Sequence, residues 1–106
     1  MEWIKVFSSN GEMLERLKEG TPQHLVVNDQ SICMVLWKGE LRAVENKCPH
    51  NGESLSKGKI NYLSEVICPL HGYRFNLKNE REVGEGCKDL EMYLVKDEVD
   101  GIFVGL

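Results

Sequence analysis

Four side chains able to bind a metal lie in two short segments of the sequence. Cys48 and His50 lie in CPHNG, and Cys68 and His71 lie in CPLHG. Each segment therefore offers one thiolate and one imidazole, and the four side chains together form a candidate metal-binding set.

The order of these ligands separates two hypotheses about the metal. Zinc sites made of two Cys and two His are common, but a zinc finger usually groups its cysteines as one pair and its histidines as another. Here each pair is mixed, which favours two neighbouring metal ions, with each loop giving one ligand to each ion. A zinc-stabilised, non-redox binding module with the same four ligands is the alternative.

The segments CPHNG at 48–52 and CPLHG at 68–72, with the flanking AVENKCPH and HGYRFNL, resemble the Rieske-type [2Fe–2S] ferredoxin family. In a Rieske centre two histidines replace two cysteines on one of the two irons. The resemblance covers nearly the whole chain and implies one [2Fe–2S] cluster per chain. It assigns Cys48 and Cys68 to the inner iron and His50 and His71 to the outer, redox-active iron.

Glycine and proline recur at matching places in the two segments. Gly52 and Gly72 follow the histidines closely, where a missing Cβ lets the backbone approach a sulfide and direct N–H groups towards it. Pro49 and Pro69 each follow a cysteine, where a fixed φ stiffens the loop. The doubled placement favours a binding role over two ordinary turns.

Two positions distinguish this sequence from the respiratory Rieske proteins that it resembles. Those proteins carry an additional cysteine in each loop, and the matching residues here are Glu53 and Leu70. Their serine and tyrosine hydroxyls, which donate to the cluster and to a cysteine sulfur, are matched by Tyr73 and Phe75. Fewer hydrogen bonds to sulfur stabilise the reduced cluster less, so we expect a low potential, near roughly −150 mV.

The resemblance implies an electron-transfer component without a substrate site of its own. The leading hypothesis is a soluble, monomeric carrier that passes one electron at a time from a reductase to a terminal oxygenase or reductase. The second is the small subunit of an assimilatory NAD(P)H nitrite reductase. Both hypotheses require redox protein partners and the same cofactor.

The rest of the sequence predicts an all-β fold with at most one short helix, and the resemblance implies an antiparallel Rieske-type sandwich or barrel with an inserted cluster-binding subdomain. Short apolar runs alternate with Gly and Asn at intervals of about ten residues. The helix is expected within Ser9 to Lys18, ended by Gly20-Thr21-Pro22. Strands are expected at Trp3 to Phe7, His24 to Asn28, Ser31 to Trp37, Leu41 to Glu45, Met92 to Lys96 and Ile102 to Val104. Turns are expected at Asp29-Gln30, Lys38-Gly39 and Asp100-Gly101. Residues 1–106 form a single domain in this interpretation, with the cluster-binding subdomain at about 46–86.

Composition excludes several other classes of function. The 106 residues include 13 basic and 17 acidic ones, a net charge of −4 without a basic face, which argues against nucleic acid. The sequence contains no apolar run of the ~18 residues that a membrane span needs and no signal peptide, so we expect a cytoplasmic protein without membrane contact.

Cys33 in SICMVLW is expected to act as a small hydrophobe, and His24 as a plain strand residue. Cys87 is isolated, and the sequence assigns it no role.

Overall fold

The computed structural model describes residues 1–49, 52–70, 72–78 and 90–106. Ten strands, one α-helix and one 3₁₀ helix occur in these ranges. In chain order they are β1 Trp3–Phe7, α1 Asn10–Arg16, β2 Gln23–Val27, β3 Gln30–Trp37, β4 Glu40–Glu45, a 3₁₀ helix Leu55–Lys57, β5 Lys59–Ile60, β6 Glu65–Ile67, β7 Arg74–Asn76, β8 Met92–Tyr93, β9 Val95–Glu98 and β10 Gly101–Gly105. The predicted all-β class with one short helix is confirmed.

The strands form three antiparallel sheets. Their orders are β1-β10-β9, β2-β3-β4-β8 and β5-β6-β7. The predicted strand Met92 to Lys96 is divided at Leu94, because Met92 and Tyr93 pair with β4 whereas Val95 and the residues after it pair with β10. The chain thereby passes from the second sheet to the first in a single step.

Strand β3 explains the apolar run SICMVLW, because each of its faces covers a different core. Ile32, Met34 and Leu36 are buried against β1, α1 and β10. Cys33 and Val35 point the other way, into a second core that also contains the side chains of the third sheet. Alternate residues of a strand lie on opposite faces, so a strand with cores on both sides is apolar throughout.

Two tight turns set the register of β2, β3 and β4. Lys38 and Gly39 have φ values of 52° and 77°, as predicted for that turn. The prediction of a turn at Asp29-Gln30 was wrong by one residue, because Asn28 and Asp29 take φ values of 49° and 65° and Gln30 begins β3. A two-residue hairpin turn of this kind needs positive φ at both positions, which Asn and Asp tolerate better than Gln.

The hairpin between β9 and β10 also differs from the expectation. Its two loop residues are Val99 and Asp100, and Gly101 already pairs with Glu98. Gly101 has a φ of 147°, and a Cβ there would lie 2.8 Å from the carbonyl oxygen of Phe7. Glycine is needed here because the strand passes close to the backbone of β1, and not for the turn itself.

The helix is shorter than predicted. Ser9 is its N-cap, and the Ser9 hydroxyl accepts a hydrogen bond from the Glu12 N–H at 3.1 Å. The helix ends at Arg16, before Gly20, because Leu17 turns to an extended conformation and buries its side chain in the first core. Within the described ranges, no helix has the length and apolar character of a membrane span.

Candidate metal centre

The two candidate ligand loops have the same backbone hydrogen bonds. In the first, the N–H of Cys48 donates to the carbonyl of Glu53 at 2.8 Å, and the N–H of Gly52 donates to the carbonyl of Cys48 at 2.7 Å. In the second, Cys68 N–H donates to the Tyr73 carbonyl at 2.8 Å, and Gly72 N–H donates to the Cys68 carbonyl at 3.1 Å. Cys48–Glu53 and Cys68–Tyr73 are therefore two copies of one loop.

The glycine of each loop lies in the left-handed region that closes the turn. The φ values are 80° for Gly52 and 72° for Gly72, a region that other residues enter only with strain. Each proline follows its cysteine, where its fixed φ limits the freedom of the loop. The doubled glycines and prolines of the sequence thus have a common structural basis.

The first loop is held at its base by Asn46, which sequence reasoning missed. The Asn46 side-chain oxygen accepts a 2.7 Å hydrogen bond from the backbone N–H of Ser56, and the Asn46 N–H donates to the carbonyl of Ser31. Asn46 is 7% exposed. The only signal in the sequence was a polar residue directly after β4.

The second loop is the connection between β6 and β7. Val66 pairs with Phe75, and Ile67 pairs with Arg74, so the ladder ends directly at the loop. Glu65, at the start of β6, is buried, and its carboxylate accepts a 2.7 Å hydrogen bond from the Asn61 side chain and lies 3.5 Å from an Arg74 nitrogen. These contacts fix the small sheet that carries Cys68.

A further contact joins this sheet to the sheet formed by β2, β3, β4 and β8. The indole N–H of Trp37, at the end of β3, donates to the Ser64 hydroxyl at 2.9 Å. Ser64 is buried and has a φ of 63°, and its carbonyl accepts from the N–H of Leu77. This polar contact was not predicted, because Trp37 and Ser64 are distant in sequence.

Cys48 and Cys68 lie in one apolar cluster. Each is 1% exposed, and both pack with Leu55, Val66 and Phe75 in the second core. Among the described cysteines there is no disulfide. The structure thus brings together the two predicted thiolate ligands, while His50 and His71 lie outside the described residues, as does Cys87.

Cys33 belongs to the same core but differs in chemistry. It is fully buried in the middle of β3, and burial raises the pKa of its thiol from 9.0 to about 12. Cys33 therefore remains a neutral thiol at physiological pH and acts as the small hydrophobe that the sequence predicted. His24, on β2, is exposed and lies 3.1 Å from the Ser31 hydroxyl.

The residues present fit an iron–sulfur cluster. Two cysteines lie at the first position of two equivalent loops, each closed by a glycine that permits close approach of the backbone. Buried thiolates in apolar surroundings suit such a cluster, whose potential depends on its hydrogen bonds and its exposure. Phe75 in the same core is fully buried and has no hydroxyl that could donate to a sulfur.

Comparison with known proteins supports the same assignment. The family described as Rieske [2Fe–2S] domain matches residues 3–94. Human apoptosis-inducing factor 3 is 34% identical over 96 residues, which is 90% of this chain but 14% of the length of that relative. The ferredoxin component of the naphthalene 1,2-dioxygenase/salicylate 5-hydroxylase systems of a Ralstonia species is 31% identical over 86 residues, 80% of this chain and 82% of that protein.

Solved structures show the same fold. The ferredoxin of carbazole 1,9a-dioxygenase from Nocardioides aromaticivorans superposes with a TM-score of 0.84 at 24% identity, over 99% of this chain and 98% of that one. A nitrite reductase small subunit from Mycobacterium tuberculosis superposes with a TM-score of 0.80 at 18% identity, over 97% and 93% of the two chains. The match along residues 3–94, together with these relatives, shows that the chain belongs to the Rieske [2Fe–2S] family, whose cofactor is a Rieske [2Fe–2S] cluster.

Proposed function

We propose that this chain is an electron carrier of the ferredoxin type, passing one electron at a time from a reductase to a terminal oxygenase. The observation that carries the proposal is the pair of equivalent loops that place Cys48 and Cys68 in one buried cluster. When bound, the cluster supplies a single redox equivalent. The similarity to the ferredoxin components of dioxygenase systems supports this role.

The identity of the four cluster ligands is part of this proposal. Cys48 and Cys68 would hold one iron, and His50 and His71 the other. In this proposal residues 46–86 form the cluster-binding subdomain, and the remainder of the chain forms the base. The carrier acts as a monomer in the cytoplasm.

The ligand assignment is tested by comparing three buried cysteines. Cys48→Ser and Cys68→Ser should remove the red-brown colour and the low-average-g EPR signal of the dithionite-reduced protein. Cys33→Ala is the matched control, because Cys33 lies in the same core without being a proposed ligand. We expect that variant to retain two irons per chain. Retention of the EPR signal in Cys68→Ser, or stoichiometric zinc in a colourless wild-type protein, would contradict the assignment.

A low potential is also part of the proposal. Phe75 is fully buried and has no hydroxyl to donate to a ligand sulfur, and Glu53 and Leu70 replace the additional cysteines of respiratory relatives. We expect a redox titration to give a midpoint near about −150 mV. Phe75→Tyr should raise it, whereas Phe103→Tyr on β10, in the first sheet, should not. A clearly positive midpoint potential of the wild-type protein would refute the predicted low potential.

The second candidate is the small subunit of a nitrite reductase, which is favoured by the structural similarity to such a subunit. It requires the same cofactor but a permanent association with a large catalytic chain. Purification from the native cell distinguishes the two roles. A single species with the mass of the free chain supports the carrier, and stable co-elution with a catalytic subunit supports the alternative.

A further inference from the structure

A cleft of about 310 Å³ opens beside Cys68. Pro69, Gly72 and Ile67 line its apolar part, and Lys57 and Lys59 line the rest. The side chain of Leu70, next to the cleft in sequence, is 52% exposed. An apolar surface with two cations is thus located directly at one of the proposed ligand loops.

The backbone fixes the two lysines at this place. Gly58, between them, passes so close to β6 that a Cβ on it would lie 1.9 Å from the carbonyl oxygen of Ile67. Lys59 then pairs with Ile67, the residue before Cys68, in the antiparallel ladder of β5 and β6. Main-chain packing therefore sets the backbone positions of the two lysines relative to the cysteine loop.

The charged side chains that line the cleft are positive, whereas the molecule as a whole is negative. The whole chain has a net charge of −4, whereas the described lining of the cleft includes two lysines and no acidic residue. Lys57 and Lys59 are exposed, and neither forms an ion pair with another residue of the described ranges. Lys47 adds a third cation at the other loop, where its Cε lies 3.5 Å from the position of a Cβ on Gly52.

We infer that Lys57 and Lys59 dock acidic side chains on the surface of the electron-transfer partner, with Pro69 and Leu70 forming the apolar contact. The inference rests on the proposed carrier function and specifies the chemistry of its partner. An exposed lysine–carboxylate pair adds little to affinity, but a local positive field steers a negative surface into the productive orientation. The effect should therefore appear in the rate of electron transfer and in its salt dependence.

A gold electrode coated with a carboxylate-terminated monolayer is a probe of this chemistry. The protein with its cluster should give a reversible wave at low ionic strength, although both protein and surface are negative overall. We expect the interfacial electron-transfer rate to fall about tenfold or more when the salt is raised from about 10 mM to about 300 mM. An amine-terminated surface should give a slower response, because it repels the lysines.

Charge-reversal variants show which lysines cause the salt-dependent electron transfer on the carboxylate surface. Lys57→Glu and Lys59→Glu should each slow the rate on the carboxylate surface about tenfold at low salt. Lys18→Glu is the matched control, since it makes the same change in net charge at an exposed residue after α1, which packs on β1 and β10. We expect its rate to stay within about twofold of the wild-type rate, because Lys18 lies in a different part of the fold.

Two results would overturn the inference: equal slowing by Lys18→Glu, which would indicate net charge alone, or wild-type rates in both cleft variants. Solution redox titration and EPR of the same samples distinguish this failure from a failure of the proposed function. If the cluster titrates reversibly but the electron-transfer rates on the carboxylate and amine electrode surfaces are the same, the docking inference is wrong and the carrier role stands. If the wild-type cluster does not titrate reversibly, the carrier role itself is wrong.

Discussion

The side-chain oxygen of Asn46 accepts a 2.7 Å hydrogen bond from the backbone N–H of Ser56 and so closes the segment that contains the first ligand loop. Asn46 lies two residues before Cys48, and Ser56 lies in the 3₁₀ helix that follows the loop. Removal of the oxygen leaves a part-buried N–H without its partner, which costs about 1–3 kcal/mol.

We therefore expect Asn46→Leu, which keeps the approximate volume, to lower stability by that amount and to accelerate loss of the cluster. The rate of bleaching of the visible absorbance in a chelator measures the second effect. Asn46→Asp retains the acceptor oxygen and should restore most of the stability. A slow, wild-type bleaching rate in Asn46→Leu would show that the hydrogen bond does not hold the loop.

The sequence predicted the fold class and the two loops because their signals are local. Alternating strands and punctuating glycines can be recognised within a few residues, as can CPHNG and CPLHG. The contacts of Asn46 with Ser56 and of Trp37 with Ser64 join residues that become neighbours only in the folded chain. A polar side chain in a loop gives no indication of which distant N–H or hydroxyl it will meet.

The misplaced turns have a related cause. Asp29-Gln30 and Asp100-Gly101 are both plausible turn dipeptides, but the register of each hairpin is set by the packing of its strands. Burial of Ile32, Met34 and Leu36 in one core fixes β3, and the turn then falls on Asn28 and Asp29. At Gly101 the close approach of β1 selects the glycine, which only the tertiary structure reveals.

The loop glycines permit a test that separates backbone strain from cluster binding. A Cβ on Gly72 would meet no atom of the described residues within 4 Å, and the same is true of Gly39 in the turn between β3 and β4, where φ is 77° against 72°. We expect Gly72→Ala and Gly39→Ala each to lose about 1–2 kcal/mol from left-handed strain. Only Gly72→Ala should also lower iron occupancy, because its strain falls in the loop of Cys68. Iron analysis and thermal unfolding of both variants check this; equal iron content would contradict it.

Gly58 should tolerate no side chain. The Cβ of Gly58→Ala would lie 1.9 Å from the Ile67 carbonyl oxygen, and β5 would have to separate from β6 to relieve the overlap. We expect a loss of about 3 kcal/mol, measured by thermal unfolding. Gly105→Ala is the control, since its closest contact, at 2.6 Å, is the sulfur of Met1, an exposed and flexible side chain that can move. Similar losses in the two variants would mean that the backbone contact at Gly58 is not rigid.

The buried thiol of Cys33 predicts a fall in stability at alkaline pH. The pKa of the Cys33 thiol is about 12 in the folded chain and 9.0 in the unfolded chain. Below pH 9 the thiol is protonated in both states, so its ionisation does not lower the free energy of unfolding. Between pH 9 and 12 only the unfolded chain ionises, which lowers the free energy of unfolding by about 1.4 kcal/mol per pH unit. Burial, with the nearby carboxylates of Glu91 and Glu45, also raises the pKa of Tyr93, which adds a loss of the same sign above pH 10.

Cys33→Ala isolates the thiol from these other titrations. The variant leaves a small cavity and should melt below the wild-type protein at pH 8, where the thiol is neutral in both states. As the pH rises to about 11, the difference in melting temperature should narrow, because only the wild-type protein has the thiol whose ionisation favours unfolding. Anaerobic melting curves followed by circular dichroism at pH 8, 9.5 and 11 measure this difference. A constant difference would show that Cys33 is not confined to its neutral form by burial.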